Sequence, residues 1–196
     1  MRSWARVPAE RRRLRLGVRV LGIDPGLRLT GYGCVEPDRR SETGATLGRA
    51  TPSGARIVEA GVFKLDVKAS VSNRLAELHA DLTEVLERVR PELVAVEQLY
   101  AHYAHPATAI VMGHARGVIL LAIRRANLPL VELRPNEVKK ASTGYGHAAK
   151  PQMQRAMQFQ FGLKEVPKPP DVADALAIAL TAMRRESGVA RMLRAR

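Results

Sequence analysis

The chain has 196 residues, 46% of them hydrophobic, and its 32 lysines and arginines outnumber 19 acidic residues to leave a formal charge of +13. That content suits one compact domain with a real core, and the basic excess points to a polyanionic partner, nucleic acid ahead of a membrane surface. No run approaches the ~18 apolar residues of a membrane span, no long apolar stretch follows the N-terminal arginines as in a secretory signal, and the single cysteine, Cys34, excludes an internal disulfide and fits a reducing, cytoplasmic setting.

Residues 1–17 are arginine-rich without a period and are expected to form a flexible basic arm. The β-rich run from Val18 to Ile23 predicts a first strand, and "LTGYGCVEP" predicts a second that breaks at Pro37. Residues 38–54, dense in Gly, Ser, Thr and Arg, predict a long polar loop. "ARIVEAGVFKLD" then resumes as a third strand, and three consecutive strands are most simply antiparallel. The period changes next: Val71, Leu75, Leu78, Leu82, Val85, Leu86 and Val89 recur at helical spacing, with Ser70 or Ser72 as a cap and Pro91 beyond the end. "ELVAVEQLY" predicts a buried strand, "HPATAIVMGHARGVILLAIRRAN" an apolar helix, and "LPLVELRP" a short strand. "PNEVKKAS" and "KPQMQRAMQFQF" predict helices around the glycine-rich "TGYGHAAK", and "PPDVADALAIALTAMRRES" predicts a last helix behind its prolines. The order predicts an α/β domain over 18–187, with a basic tail at 188–196.

Four acids stand out against this pattern. Asp24 ends the first strand and Glu97 the fourth, and sites in open α/β sheets gather at the carboxyl ends of strands. Asp171 and Asp174 are three apart in the first turn of the last helix, so they share a face. Carboxylates brought within a few ångströms repel, and a divalent cation removes that penalty. Oxygen ligands without His or Cys suit Mg²⁺ or Mn²⁺, and two such ions about 3.5–4 Å apart cut phosphodiesters. Singly, each acid has a plainer role: Asp24 as a turn residue before Pro25-Gly26, Asp171 as a helix cap, Asp174 as an acid favoured by the helix dipole. Glu97 is harder to explain that way, because a charge in a buried strand needs a partner. His102, His105 and His114 lack the spacing and the cysteines of a zinc site.

"GIDPG", "TGYG", "VEQLY", "HARGV" and "DVADALAIA", in this order from Val18 to Thr181, together resemble the RuvC family of Holliday-junction resolvases. The resemblance implies a ribonuclease-H-like fold with a mixed five-stranded sheet, three antiparallel strands followed by parallel ones, flanked by helices. It implies a homodimer that uses two Mg²⁺ or Mn²⁺ ions per active site to nick opposed strands of a four-way DNA junction in recombination and repair, in partnership with the branch-migration helicase complex. The family's metal-binding catalytic acids fall on Asp24, Glu97, Asp171 and Asp174; some members have His at the position of Asp171. Its base-stacking aromatic falls on Tyr100, where some relatives have Phe. Two lysines thought to meet phosphate near the cut fall on Lys139 and Lys150, which on spacing alone would pass as solvated charges.

Three other functions fit less well. An actin-like phosphotransferase needs a second nucleotide-binding half for which the chain has no room. A nuclease for structured RNA would be told apart by its substrate. A junction-binding module without catalysis gains nothing from repelling acids beside a phosphate.

Overall fold

In a computed structural model, the structure describes residues 18–26, 28–38, 51–99 and 106–194. Five strands, β1 (Val20–Asp24), β2 (Leu29–Pro37), β3 (Ala55–Lys64), β4 (Leu93–Glu97) and β5 (Leu130–Leu133), form one sheet in the order β3-β2-β1-β4-β5. The first three pair antiparallel, and β4 and β5 run parallel to β1, as expected. The helices are α1 (Val71–Val89), α2 (Pro106–Arg125), α3 (Pro135–Thr143), α4 (Lys150–Phe161) and α5 (Pro170–Arg194). The last continues through residues where the sequence suggests a tail.

Side chains on a strand alternate between faces, and here the alternation sorts two cores. Leu21, Ile23, Val94 and Val96 point to the side covered by α1 and α2, where they meet Leu78, Leu82, Ile119 and Ile123. Val20, Leu93, Ala95 and Leu133 point to the other side, where Leu176, Ile178 and Leu180 of α5 and Met153 and Met157 of α4 cover them. A period of two therefore carries Asp24 and Glu97 onto the α5 side. α1 is capped by the Ser70 hydroxyl, which accepts from the Asn73 amide at 3.3 Å, and ends at Arg90 in the left-handed conformation.

Three glycines decide how closely α5 approaches the sheet. Gly22 and Gly33 are partners across β1 and β2, and Gly31 pairs with Asp24. A Cβ on Gly22 would stand 2.3 Å from the Ala175 carbonyl oxygen and 2.5 Å from the Ala179 nitrogen. One on Gly31 would stand 2.2 Å from the Asp171 carbonyl oxygen, and one on Gly33 2.9 Å from the Leu176 side chain. The helix backbone rests on strand backbone, and this seating brings the first turn of α5 beside the end of β1. Gly22→Ala is expected to cost about 1–3 kcal/mol by overpacking, because backbone rather than a flexible side chain must give way. A chemical denaturation midpoint reads the loss.

Candidate active site

Asp24 and Glu97 leave the sheet side by side. Ile23 is in register with Val96 in the parallel β1–β4 ladder, and the two acids are the next residues on each strand. Behind Asp24 the chain turns back at Gly26, where a Cβ would lie 1.8 Å from the Leu29 carbonyl oxygen. The buried Thr30 hydroxyl braces that turn through the Gly26 amide at 3.4 Å and its carbonyl at 3.3 Å. Gly26 is thus demanded by the returning chain itself.

A cavity of about 240 Å³ opens at this point, lined by Asp24, Glu97 and Asp174 with Lys139, Lys150, Pro135, Val138, Ala148 and Met153. Asp24 comes from β1, Glu97 from β4, Asp174 from α5, Lys139 from α3 and Lys150 from the first turn of α4. Residues up to 150 positions apart in sequence meet here because both strands end on one edge and α5 lies across their face. Asp171 is one turn nearer the start of α5, over Gly31. It does not line the cavity, but its charge reaches both Asp24 and Asp174.

The electrostatics are those of crowded acids. Burial pushes the Asp24 carboxyl well above its ordinary range, and Glu97, Asp174 and Asp171 add to the rise while Lys150 opposes it. Glu97 is pushed up to about 7, first by burial and then by Asp174, against the pull of Lys139. Asp174 is raised by burial and by Asp171, with Lys150 and Lys139 lowering it. Each lysine therefore serves two acids, yet burial and mutual repulsion still win. A buried group of carboxylates with raised proton affinity is the donor set that suits a hard divalent cation, since all its ligands are oxygens. Among the described residues no three His, Cys, Asp or Glu side chains stand close enough together to form a finished metal cage; what fits a cation here is the chemistry of the donors, buried carboxylates with oxygen ligands alone.

Arg116, inside the quoted "HARGV", is a residue to which motif and spacing assign no role. From α2 its Nη1 donates to the Glu97 carbonyl oxygen at 2.7 Å, and its Nη2 donates to Glu132 Oε1 on β5 at 2.5 Å. Its side chain is only 15% exposed. The guanidinium ties the exit of β4 to the edge strand β5, and so steadies the backbone from which Glu97 projects. A signal is present in "HARGV": an arginine inside an apolar helix needs an acceptor. Arg116→Ala is expected to cost about 1 kcal/mol or somewhat more by leaving the part-buried Glu97 carbonyl without this partner. Arg116→Lys should recover part of this, because an ammonium cannot span both acceptors as a planar fork does. Thermal melts of both variants test the order.

Tyr100 lies outside the described residues, as do His102 and His105. No helix among the described residues is long and apolar enough to cross a membrane.

The profile of the family described as "Crossover junction endodeoxyribonuclease RuvC" matches residues 20–182. The enzyme of that name from Rhodopirellula baltica is 44% identical over 163 residues, 82% of this chain and 83% of its own. Its counterpart from Caldicellulosiruptor saccharolyticus is 39% identical over 172 residues, 88% of this chain and 96% of its own. Among solved structures, T. thermophilus RuvC in complex with Holliday junction substrate superposes with a TM-score of 0.72 at 37% identity, covering 87% of this chain and 96% of that one.

Proposed function

The chain belongs to the RuvC family of crossover junction endodeoxyribonucleases, and on that premise we propose that it resolves four-way DNA junctions through Asp24, Glu97 and Asp174, with Asp171 at their edge. The observation that carries this is the convergence of three acids with raised proton affinity and two lysines on one cavity. The acids would hold two Mg²⁺ or Mn²⁺ ions, and when bound these supply the Lewis acidity that phosphodiester hydrolysis needs at neutral pH. Asp24 and Glu97 contribute from rigid strand ends, Asp174 from a helix locked against Gly22. Lys139 and Lys150 hold the acids' charge in check until DNA arrives and then face its phosphates. Tyr100, three residues past Glu97, would stack on a base near the crossover.

Cutting two opposed strands calls for two active sites related by a dyad, which a homodimer provides. α2 offers a face for it. Ile110 and Leu121 are 59% and 53% exposed, and between them Gly113 and Gly117 have nothing within 4 Å of where a Cβ would sit. These four fall on one helix stripe, small in the middle and apolar at its ends, and suit a second copy of the same helix. The branch-migration helicase complex is the further partner that membership of the family brings to the proposal. A cytoplasmic location agrees with Cys34, a free and buried thiol.

A synthetic mobile four-way junction, incubated with and without Mg²⁺ or Mn²⁺ and run on a denaturing gel, tests the function. Paired nicks in opposed strands, dependent on the metal and absent from a linear duplex or a structured RNA, are the expected result. Cutting of all three substrates alike would contradict it. Affinity should also fall steeply with salt, log K declining linearly with log salt concentration as a +13 chain releases counterions from several phosphates. A flat response in a mobility-shift series would argue against DNA as the partner.

A further inference from the structure

The α3–α4 loop carries an aromatic that no function above uses. α3 ends at Thr143, and Gly144 follows in the left-handed conformation, with φ of 81°. The Thr143 hydroxyl lies 2.8 Å from the Lys139 carbonyl oxygen and 3.0 Å from that of Tyr145, and it accepts from the Tyr145 amide at 3.1 Å. The Ala148 amide closes the loop onto the Tyr145 carbonyl at 3.3 Å. Tyr145 is therefore held at both its amide and its carbonyl. Its ring nevertheless belongs to neither core and is 59% exposed. The ring meets His147 at 5.7 Å between centroids and 63° between planes, an edge contact that does not cover it.

Position gives this ring its meaning. The loop joins the helix that carries Lys139 to the helix that begins at Lys150, and both lysines line the cavity with the acids. Ala148, three residues after Tyr145, is part of the same wall. An exposed aromatic on a loop whose backbone is anchored, and which joins two cation-bearing helices, is suited to gripping unpaired nucleotides: the cations track phosphates and the ring takes a base face. Anchoring the loop backbone beforehand lowers the ordering cost of the contact.

We propose that Tyr145, braced by His147, is a stacking site for a nucleobase beside the phosphate that is cut. The site presupposes the junction-nuclease function above and is separate from the crossover contact assigned to Tyr100. It holds the strand entering the cavity, so that the scissile phosphate is presented to the acids.

The test uses the full chain carrying Asp24→Asn, which is expected to bind junctions without cutting them. Junctions with single 2-aminopurine substitutions are prepared, at positions flanking the cut and at the crossover. Quenching at a flanking position, lost in D24N/Y145A and kept in D24N/Y145F, is the expected result, with crossover positions unaffected by either change. In the chain with Asp24 intact, Tyr145→Ala should slow cleavage about tenfold at saturating junction, as loss of one stacked base predicts, and Tyr145→Phe should stay near normal. Flanking fluorescence unchanged by Tyr145→Ala would overturn the site, and so would equal loss in the Tyr145→Phe variant, which would assign the effect to the hydroxyl. Failure of the D24N chain to bind any junction would instead overturn the nuclease function on which the site depends.

Discussion

Asp24→Asn, Glu97→Gln and Asp174→Asn should each lower junction cleavage roughly a thousandfold or more, equivalent to at least ~4 kcal/mol of barrier, while junction binding is retained or tightens. The three acids line one cavity, and each has its proton affinity raised by burial and by at least one neighbouring acid, so each amide removes one negative oxygen from the set proposed to hold the cations. The same change relieves repulsion toward an incoming phosphate, which is why affinity should not suffer. Asp171→His should be milder, about tenfold. Asp171 stands outside the cavity lining, and imidazole is itself a metal ligand. Single-turnover cleavage and a mobility shift, measured side by side, separate the two effects. A variant among the first three that cuts like the parent does not belong to the site.

The second large effect is on stability. Glu97 holds its proton up to about pH 7 in the folded chain, against an ordinary value of 4.5. Below pH 4.5 folded and unfolded chains are both protonated there, and the group is neutral to stability. As pH rises toward 7 the unfolded chain ionises first, so the folded state loses stability across this window and does not regain it above. The contribution amounts to about 2–3 kcal/mol for Glu97, with Asp24 and Asp174 acting in the same direction. Melts in EDTA should therefore show a transition temperature roughly 5–10 °C lower at about pH 8 than at about pH 5.5 for this reason, and Glu97→Gln should flatten the difference. Mg²⁺ or Mn²⁺ should restore stability at the higher pH and do little at the lower, where protons already occupy the oxygens. A parent chain and a Glu97→Gln chain with the same pH profile would show that Glu97 is not the strained group.

The strands, the antiparallel opening and the acids that end two of the strands are legible in the sequence because each apolar run is short and stops at a turn or an acid, whereas the mixed five-stranded sheet is implied there only by the family resemblance. Val20, Leu21 and Ile23 followed by Asp24 already imply a carboxylate at a strand end, and Leu93 to Glu97 repeat the pattern. The role of the glycines is not legible. Nothing local distinguishes a glycine that turns a loop from Gly22 or Gly31, whose lack of a side chain matters only because α5 arrives from about 150 residues away. Arg116 is hidden for the same reason, since its acceptors lie on β4 and β5. The first turn of α5 is plainly acidic in sequence, and its two acids stay within electrostatic reach of one another, Asp174 lining the cavity and Asp171 lying over Gly31.

The most direct test of the site is a Mn²⁺ titration, followed by the paramagnetic resonance of the free ion, of the chain bound to a junction made uncleavable at its scissile phosphates. The parent complex should take up Mn²⁺, and Glu97→Gln and Asp174→Asn should each abolish that uptake with junction affinity intact. Undiminished Mn²⁺ uptake by both variants would contradict the assignment of these acids as the cation-holding centre.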